Sequence, residues 1–375
     1  MARRQKPVTI KDVAQQAGVS ITTVSNVLND RTASMSETTL QRVLRVMEAL
    51  NYRPNPLARG LVTQRTATIG VVLAEIETSL FLQALNRIEP MARQAGYSVL
   101  MSNARDPAQE YAVMQLLLEK HVDGLIFLSV SERIQADRVP ELERLQVPTV
   151  LVNRANTYPG LDQINWDDTT GVSEAVEHLI RLGHRRIAHL CGPERRGSGQ
   201  NRLQGYKAAL ERHGIPFRPE YVRSGDYTGT ADLWQASTRR LLALSPRPTA
   251  ILASDDTVAA VTIKTIQRAG LNVPRDIAVI GVDDQRFGAY LNPALTTVRL
   301  PVLEAGGRAV HMLLDRLAGV RSEREQVVLP CSLIVRESCG ASLAAPILTD
   351  AALPGQVLPV DAQAADAPSG HGEND

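Results

Sequence analysis

The sequence predicts an all-α helix-turn-helix headpiece at the N-terminus, followed by an α/β core of two doubly wound subdomains, each built on a parallel sheet. Three observations predict it. Val8 to Asn29, VTIKDVAQQAGVSITTVSNVLN, spells two short helices around a glycine turn. The first 65 residues carry ten Lys or Arg against four acids, a net of +6, in a chain of +1 overall, so the remaining 310 residues hold −5. From Thr68 onward, short β-branched runs alternate with amphipathic helical stretches in two successive series.

Taking the elements in order, Ile10, Val13, Ala14 and Ala17 recur at helical spacing and give a first helix, Lys11 to Ala17, with Thr9 as its N-cap. Gly18 ends it, and Ser20 caps a second helix from Ile21 to Leu28. Val24, Val27 and Leu28 pack inward, leaving Ile21, Thr22, Ser25 and Asn26 outward. Short side chains near a helix N-terminus suit a helix that must lie deep in a major groove about 12 Å wide. Ser36 caps a third helix, Glu37 to Leu50, whose stripe of Leu40, Val43, Leu44, Met47 and Leu50 closes a headpiece over residues 1–50. A basic head on an acidic body is the electrostatic footprint of phosphate binding confined to one end. The alternative is an amphipathic helical hairpin packed on the body of the protein.

Residues 51–65 read as a hinge and linker: Asn51 to Pro56 breaks the third helix, and Pro56 with Asn55 as cap opens a short one from Leu57 to Val62. So short a helix needs something to hold it. The core spans 66–340, with a first subdomain over about 66–163 and 293–322 and a second over about 164–292 and 323–340. Its strands are TIGVVLA, YSVLMSN, GLIFLS and PTVLVN, then RIAHLCG, TAILAS and IAVIGVDD. The helices between them are Phe81 to Ala95, Pro107 to Lys120, Thr169 to Leu182, Leu203 to His213, Ala231 to Leu244 and Thr257 to Ala269. Residues 341–375, rich in Ala and Pro with five acids and no Lys or Arg, read as a disordered acidic tail.

Three cysteines, Cys191, Cys331 and Cys339, with no CxxC pair, argue for a reducing compartment and against a cysteine zinc site. The N-terminal residues are charged and lack an apolar stretch, and no run approaches the roughly 20 apolar residues of a membrane span, so a cytoplasmic protein is expected. Three Asp-Asp pairs, at 167–168, 255–256 and 283–284, follow strands or open helices. Helix capping accounts for any one of them, metal binding is open to them, and carboxylates converging in a cleft also suit a ligand dense in hydroxyls. His178, His184 and His189 lack metal-ligand spacing.

VTIKDVAQQAGVS, TTVSNVLN, LNYRPNPLARGL, HLIRLGHRRIAHLCGP, RLQGY, GVDD and LIVRES stand in this order, and together the chain from about residue 7 to 340 resembles the lactose-repressor (LacI/GalR) family of bacterial transcription regulators. The resemblance implies a core like that of periplasmic sugar-binding proteins, crossing between subdomains near Asp162 to Trp166, Gly288 to Thr297 and Arg321 to Gln326. It implies a repressor that binds palindromic double-stranded operator DNA as a homodimer and senses a small-molecule effector, with no cofactor, no metal and no membrane partner.

By that pattern Ile21, Thr22 and Asn26 read bases: Asn26 pairs with adenine, Thr22 bonds a base edge and Ile21 touches a thymine methyl. Many relatives carry Arg at the position of Asn26, which weakens any guanine preference there. Thr9, Ser20, Thr23, Ser25, Asn29, Ser36 and Thr39 are placed for phosphates, although Thr9, Ser20 and Ser36 serve equally as caps. Tyr52, Asn55, Ala58, Arg59 and Leu61 complete the DNA-binding set, Leu61 as a wedge in the minor groove or, alternatively, as packing under the core. The effector positions map onto Phe81, Asn153, Arg202, Tyr227, Asp255 and Asp283, with Asn153 and Asp255 departing from the Asp and Asn common at those places. A sugar is the expected effector. The alternatives are a purine or nucleoside corepressor and, from a different class, a sugar-modifying α/β enzyme.

Enzyme motifs are missing. Gly192 to Gly197 has P-loop glycine spacing, but Ser198-Gly199 stands where Lys-Ser/Thr is required, and GxGxxG after a strand, GxSxG and HExxH are absent. A secreted solute receptor would match the core alone. Pro346, Pro354 and Pro359 interrupt the tail and no heptad run is visible, which favours a dimer over a tetramer.

Overall fold

The computed structural model describes residues 8–28, 31–53, 65–73, 79–104, 106–128, 144, 147–153, 158, 160–193, 197–225 and 230–343. The proposed hinge helix from Leu57 to Val62 and nearly all of the tail lie outside the described residues.

The headpiece consists of α1 (Ile10–Ala17), α2 (Ile21–Leu28) and α3 (Glu37–Ala49). Val13, Ala14, Ala17, Val24, Val27 and Val43 form its buried core. Gly18 sits at φ 60°, ψ 40°, the left-handed conformation in which a Cβ meets the following carbonyl, and its N–H bonds back to the end of α1. Leu44, expected in the buried stripe, is instead 42 % exposed, because Leu40, Val46, Met47 and Leu50 complete the apolar face beside Val43.

Among the described residues, two six-stranded sheets form the core. The first contains β1 (Thr68–Leu73), β2 (Ser98–Asn103), β3 (Gly124–Leu128), β4 (Thr149–Val152), β5 (Asp162–Trp166) and β11 (Gln326–Leu329) in the order β11-β5-β4-β3-β1-β2, all parallel. The second contains β6 (Ile187–Cys191), β7 (Val222–Ser224), β8 (Ala250–Ala253), β9 (Ala278–Val282), β10 (Thr296–Arg299) and β12 (Ser332–Ile334) in the order β12-β10-β9-β8-β6-β7. Only the β10–β12 pair among them is antiparallel.

Helices α4 (Ser79–Gln94), α5 (Pro107–Glu119), α6 (Asp168–Arg181), α7 (Gly197–Arg212), α8 (Ala231–Leu242), α9 (Asp256–Arg268) and α10 (Val302–Leu317) cover the sheets. Covering both faces requires strands that are apolar on both sides. Ile126 and Leu128 of β3 join one core cluster, while Leu125 and Phe127 join another on the opposite face.

Sheet membership corrects the expected subdomain boundaries. The sequence places residues 293–322 in the first subdomain and 323–340 in the second, but β10 lies in the second sheet and β11 in the first. The chain passes between lobes after Trp166, between Arg299 and Val302, and between Leu329 and Ser332. A short strand's sequence carries its period and not its neighbour; β10 is assigned by its pairing with β9, and β11 by Asp162. That buried carboxylate holds Arg316 at 2.7 and 2.9 Å and accepts from the Glu325 N–H at 2.8 Å. No helix was expected over Val302–Leu317; α10 packs against α4, β3 and β4 of the first lobe.

Candidate functional site

In the headpiece, capping chemistry fixes the reading helix. Ser20 Oγ accepts from the Thr23 N–H at 3.0 Å and shares a hydrogen bond with Thr23 Oγ1 at 2.8 Å, securing the first turn of α2. Asp12 accepts from both the N–H and the hydroxyl of Thr9 at 2.7 Å, and Ser36 accepts from the Thr39 N–H at 3.3 Å. Three of the hydroxyls expected at phosphates are therefore first of all structural, at helix N-termini whose remaining N–H groups and dipole favour an anion.

With Val24 and Val27 buried beneath it, α2 presents Ile21, which is 45 % exposed, and Thr22 to solvent, with Ser25 and Asn26 half-buried alongside. An exposed isoleucine beside small polar groups at a helix N-terminus matches the chemistry of base-edge contact. Tyr52 packs half-buried against the headpiece core, where burial raises its hydroxyl pKa. Asn29, Asn55, Ala58, Arg59 and Leu61 lie outside the described residues.

The core site is organised by Arg202 of α7, which is 5 % exposed. Its Nε donates to Asp168 Oδ1 at 2.8 Å, its Nη1 donates to the Ser254 carbonyl at 2.5 Å, and its Nη2 stands 3.8 Å from Asp283 Oδ1. One guanidinium thus gathers the start of α6 and the carboxyl ends of β8 and β9, the edge of an α/β sheet at which ligands bind. Asp255 follows Ser254 and caps α9, accepting from the Val258 N–H at 2.8 Å. Asn153, directly after β4 at φ 57°, stands at the corresponding end of the first sheet. Phe81, in the first turn of α4, is 2 % exposed within the apolar core, and Tyr227 lies outside the described residues.

Burial pushes Asp283 well above the usual carboxylate range although Arg202 draws it back, and burial raises Asp255 as well. Geometry agrees: among the described residues no hydrogen-bond donor reaches the Asp283 carboxylate, and its cationic neighbour is at 3.8 Å. Beneath it, Asp256 accepts from Thr297 Oγ1 at 2.5 Å and from the Gln285 N–H at 2.6 Å, and burial moves its pKa up to about 7. These bonds hold a turn in which Asp283 and Asp284 adopt φ values of 115° and 52°. Asp284 is fixed from the other side by Arg299 at 2.7 Å and Arg336 at 2.6 Å.

Sequence reasoning missed Asp168, Ser254 and Thr297 as parts of this network. The Asp-Asp pairs were the available signal, and each has divided its labour: Asp167 caps α6 through the Thr170 N–H at 2.9 Å while Asp168 takes Arg202. The three histidines take different partners, although His184, its pKa lowered first by burial, remains near enough to His178 for that neighbour to lower it further. His178 meets Cys339 Sγ at 3.4 Å, His184 meets Thr249 at 3.0 Å, and His189 is buried against the Leu252 carbonyl at 3.1 Å, where burial lowers its pKa to about 4.

A helix-turn-helix headpiece joined to a core of two sheets, with a buried charged cluster where the carboxyl ends of β8 and β9 meet α6 and α7, is the architecture of a ligand-responsive DNA-binding regulator. Residues 9–55 match the family model described as bacterial regulatory proteins, lacI family, and residues 176–339 match a periplasmic binding protein-like domain. The chain is 33 % identical over 333 residues to catabolite control protein A of Priestia megaterium, covering 88 % of this chain and 99 % of that protein. It is also 33 % identical over 340 residues to the HTH-type transcriptional repressor CytR of Escherichia coli K12, covering 90 % and 98 %. A lac repressor dimer bound to operator and the anti-inducer ONPF superposes with a TM-score of 0.79 at 31 % identity, covering 89 % of this chain and 99 % of that one. The chain belongs to the LacI family of bacterial regulatory proteins. It is a DNA-binding transcription repressor with an effector-binding core, and not an enzyme.

Proposed function

We propose that two copies of this chain read a palindromic operator in the cytoplasm and that a sugar, seated between the lobes, adjusts their grip. The observation that carries the sugar reading is Asp283: a buried carboxylate short of donors, beside an arginine already spent partly on Asp168, is a ready acceptor for paired hydroxyls. Asp255 on the second lobe and Asn153 on the first are the proposed flanking groups, with Tyr227 as the proposed apolar wall; Phe81, buried in the apolar core, backs the site at most. A cellobiose complex of the transcriptional regulator CelR, 30 % identical with a TM-score of 0.66, supports the same class of ligand. A nucleoside offers similar hydroxyls through its ribose and belongs in the same screen.

In the headpiece, Ile21, Thr22 and Asn26 are the proposed base readers, Thr9, Ser20, Thr23, Ser25, Asn29, Ser36, Thr39 and Arg59 the proposed phosphate contacts, and Tyr52, Asn55 and Ala58 complete the proposed DNA-binding set. Leu61 is the proposed minor-groove wedge. One headpiece spans too few base pairs for specificity, so two-fold pairing on a symmetric site follows. A thermal-shift screen of sugars, sugar phosphates and nucleosides tests the cleft, since a ligand selective for the folded state raises its melting temperature. A sugar hit is expected to lose its shift in Asp283→Ala; a hit indifferent to that substitution contradicts the site.

A further inference from the structure

We propose that the second lobe carries a separate anion pocket, at the end of its sheet opposite the cleft, that takes a phosphomonoester borne on a sugar or nucleoside ring. The cavity measures about 410 Å³ and opens beside Ile187, the first residue of β6, whereas the cleft lies beyond that strand's other end. That volume falls in the range of small-molecule sites, roughly 300–1,000 Å³. Among the described residues its lining includes Arg185, Arg186, His213 and Arg218, and no carboxylate.

The two adjacent arginines, both exposed, are held in place by carbonyls, and among the described residues no acid pairs with them. Arg185 Nη1 donates to the carbonyls of Ile180 and His184 at 2.9 and 3.2 Å, and Arg186 Nε donates to the Arg247 carbonyl at 2.8 Å. Backbone carbonyls orient a guanidinium but leave its positive charge for an anion, and a fixed planar fork is the geometry that phosphate oxygens match. Arg218 lies over the Tyr221 ring at 5.6 Å, and its nearest acid, Glu220, is an exposed partner at 3.9 Å, too loose to cancel it. Tyr206 and Tyr221 donate their hydroxyls to the Ile187 and Pro246 carbonyls, both at 2.8 Å, so both rings are fixed as walls with their polar ends satisfied. Apolar ring surface beside concentrated positive charge selects a phosphate attached to a ring over a bare anion.

The test is calorimetric titration of the full chain at constant ionic strength with glucose 6-phosphate, AMP, inorganic phosphate, glucose and adenosine. At least one of the two phosphomonoesters is expected to bind more tightly than inorganic phosphate and than its uncharged counterpart, and which of them does so identifies the ring. Binding is expected to weaken about tenfold in Arg186→Gln/Arg218→Gln and to persist in Asp283→Ala, so it does not depend on the cleft reading. Arg218→Gln alone, at an exposed position, keeps the test decisive if the double variant unfolds. Failure of both esters to bind, equal binding of bare phosphate, or loss in Asp283→Ala with retention in the arginine variants overturns the pocket.

Discussion

Truncating Arg202 leaves Asp168 and Asp283 buried without their cation. Breaking a buried pair costs about 3–5 kcal/mol, far more than the median exposed salt bridge. Arg202→Ala is therefore expected to lower unfolding free energy by that amount, measured by urea titration, while Arg93→Ala, at an exposed i,i+4 pair on α4, changes it little. Asp256 sets a pH dependence. Its folded pKa of about 7 lies above the ordinary carboxylate value of 3.8, so the folded state holds the extra proton between them. The associated stability is complete below the unfolded pKa and is lost as pH rises through the folded one. Asp256→Asn is expected to reduce the fall in stability between those pH values; an unchanged slope would assign it to the raised Asp255 and Asp283 instead. At this scale, the pairs holding Asp255 and Asp283 were legible as residue types, whereas Arg202 was reached only through the family resemblance. Their partners were not, because Asp168 and Thr297 reach the network only through tertiary packing across separate elements.

The elements most legible in the sequence are those whose ends carry their own chemistry. α2 spans Ile21–Leu28 as expected, since Gly18 and Ser20 specify the turn and the cap locally. By contrast, α7 was expected from Leu203 and begins at Gly197, because its Gly-Ser-Gly-Gln opening has weak propensity and is helical by packing. The same helix makes an element-scale prediction. A Cβ at Gly205 would stand 2.3 Å from the Thr169 carbonyl oxygen, so α6 and α7 approach each other through bare backbone. Gly205→Ala is expected to cost about 1–3 kcal/mol and to displace Arg202 from Asp168, weakening effector binding in the same thermal-shift assay. In the headpiece, Ser20→Ala is expected to lower stability by about 1 kcal/mol through loss of the cap. Leu61→Ala tests the wedge: operator affinity is expected to fall by a few kcal/mol, on the scale of unstacking a base step, with the effector shift intact.

For the whole molecule, the chain crosses three times between the two sheets, and the proposed effector acts by biasing the relative orientation of the lobes that these crossings join. Regulation then requires that the effector bind one arrangement better than another, which makes the coupling reciprocal. Fold class was readable because the βα alternation and the basic N-terminal segment are properties of long stretches. The sheet identity of β10 and β11 was not, because four-residue strands are assigned by what they pair with. The most direct measurement is fluorescence-anisotropy titration of the full chain on a two-fold symmetric operator, with and without a sugar that raises its melting temperature, paired with sugar titrations with and without operator. A repressor of this kind is expected to show steeply salt-dependent operator binding, with affinity changed by the same factor in both titrations. Operator affinity unaltered by a sugar that demonstrably occupies the cleft would contradict it.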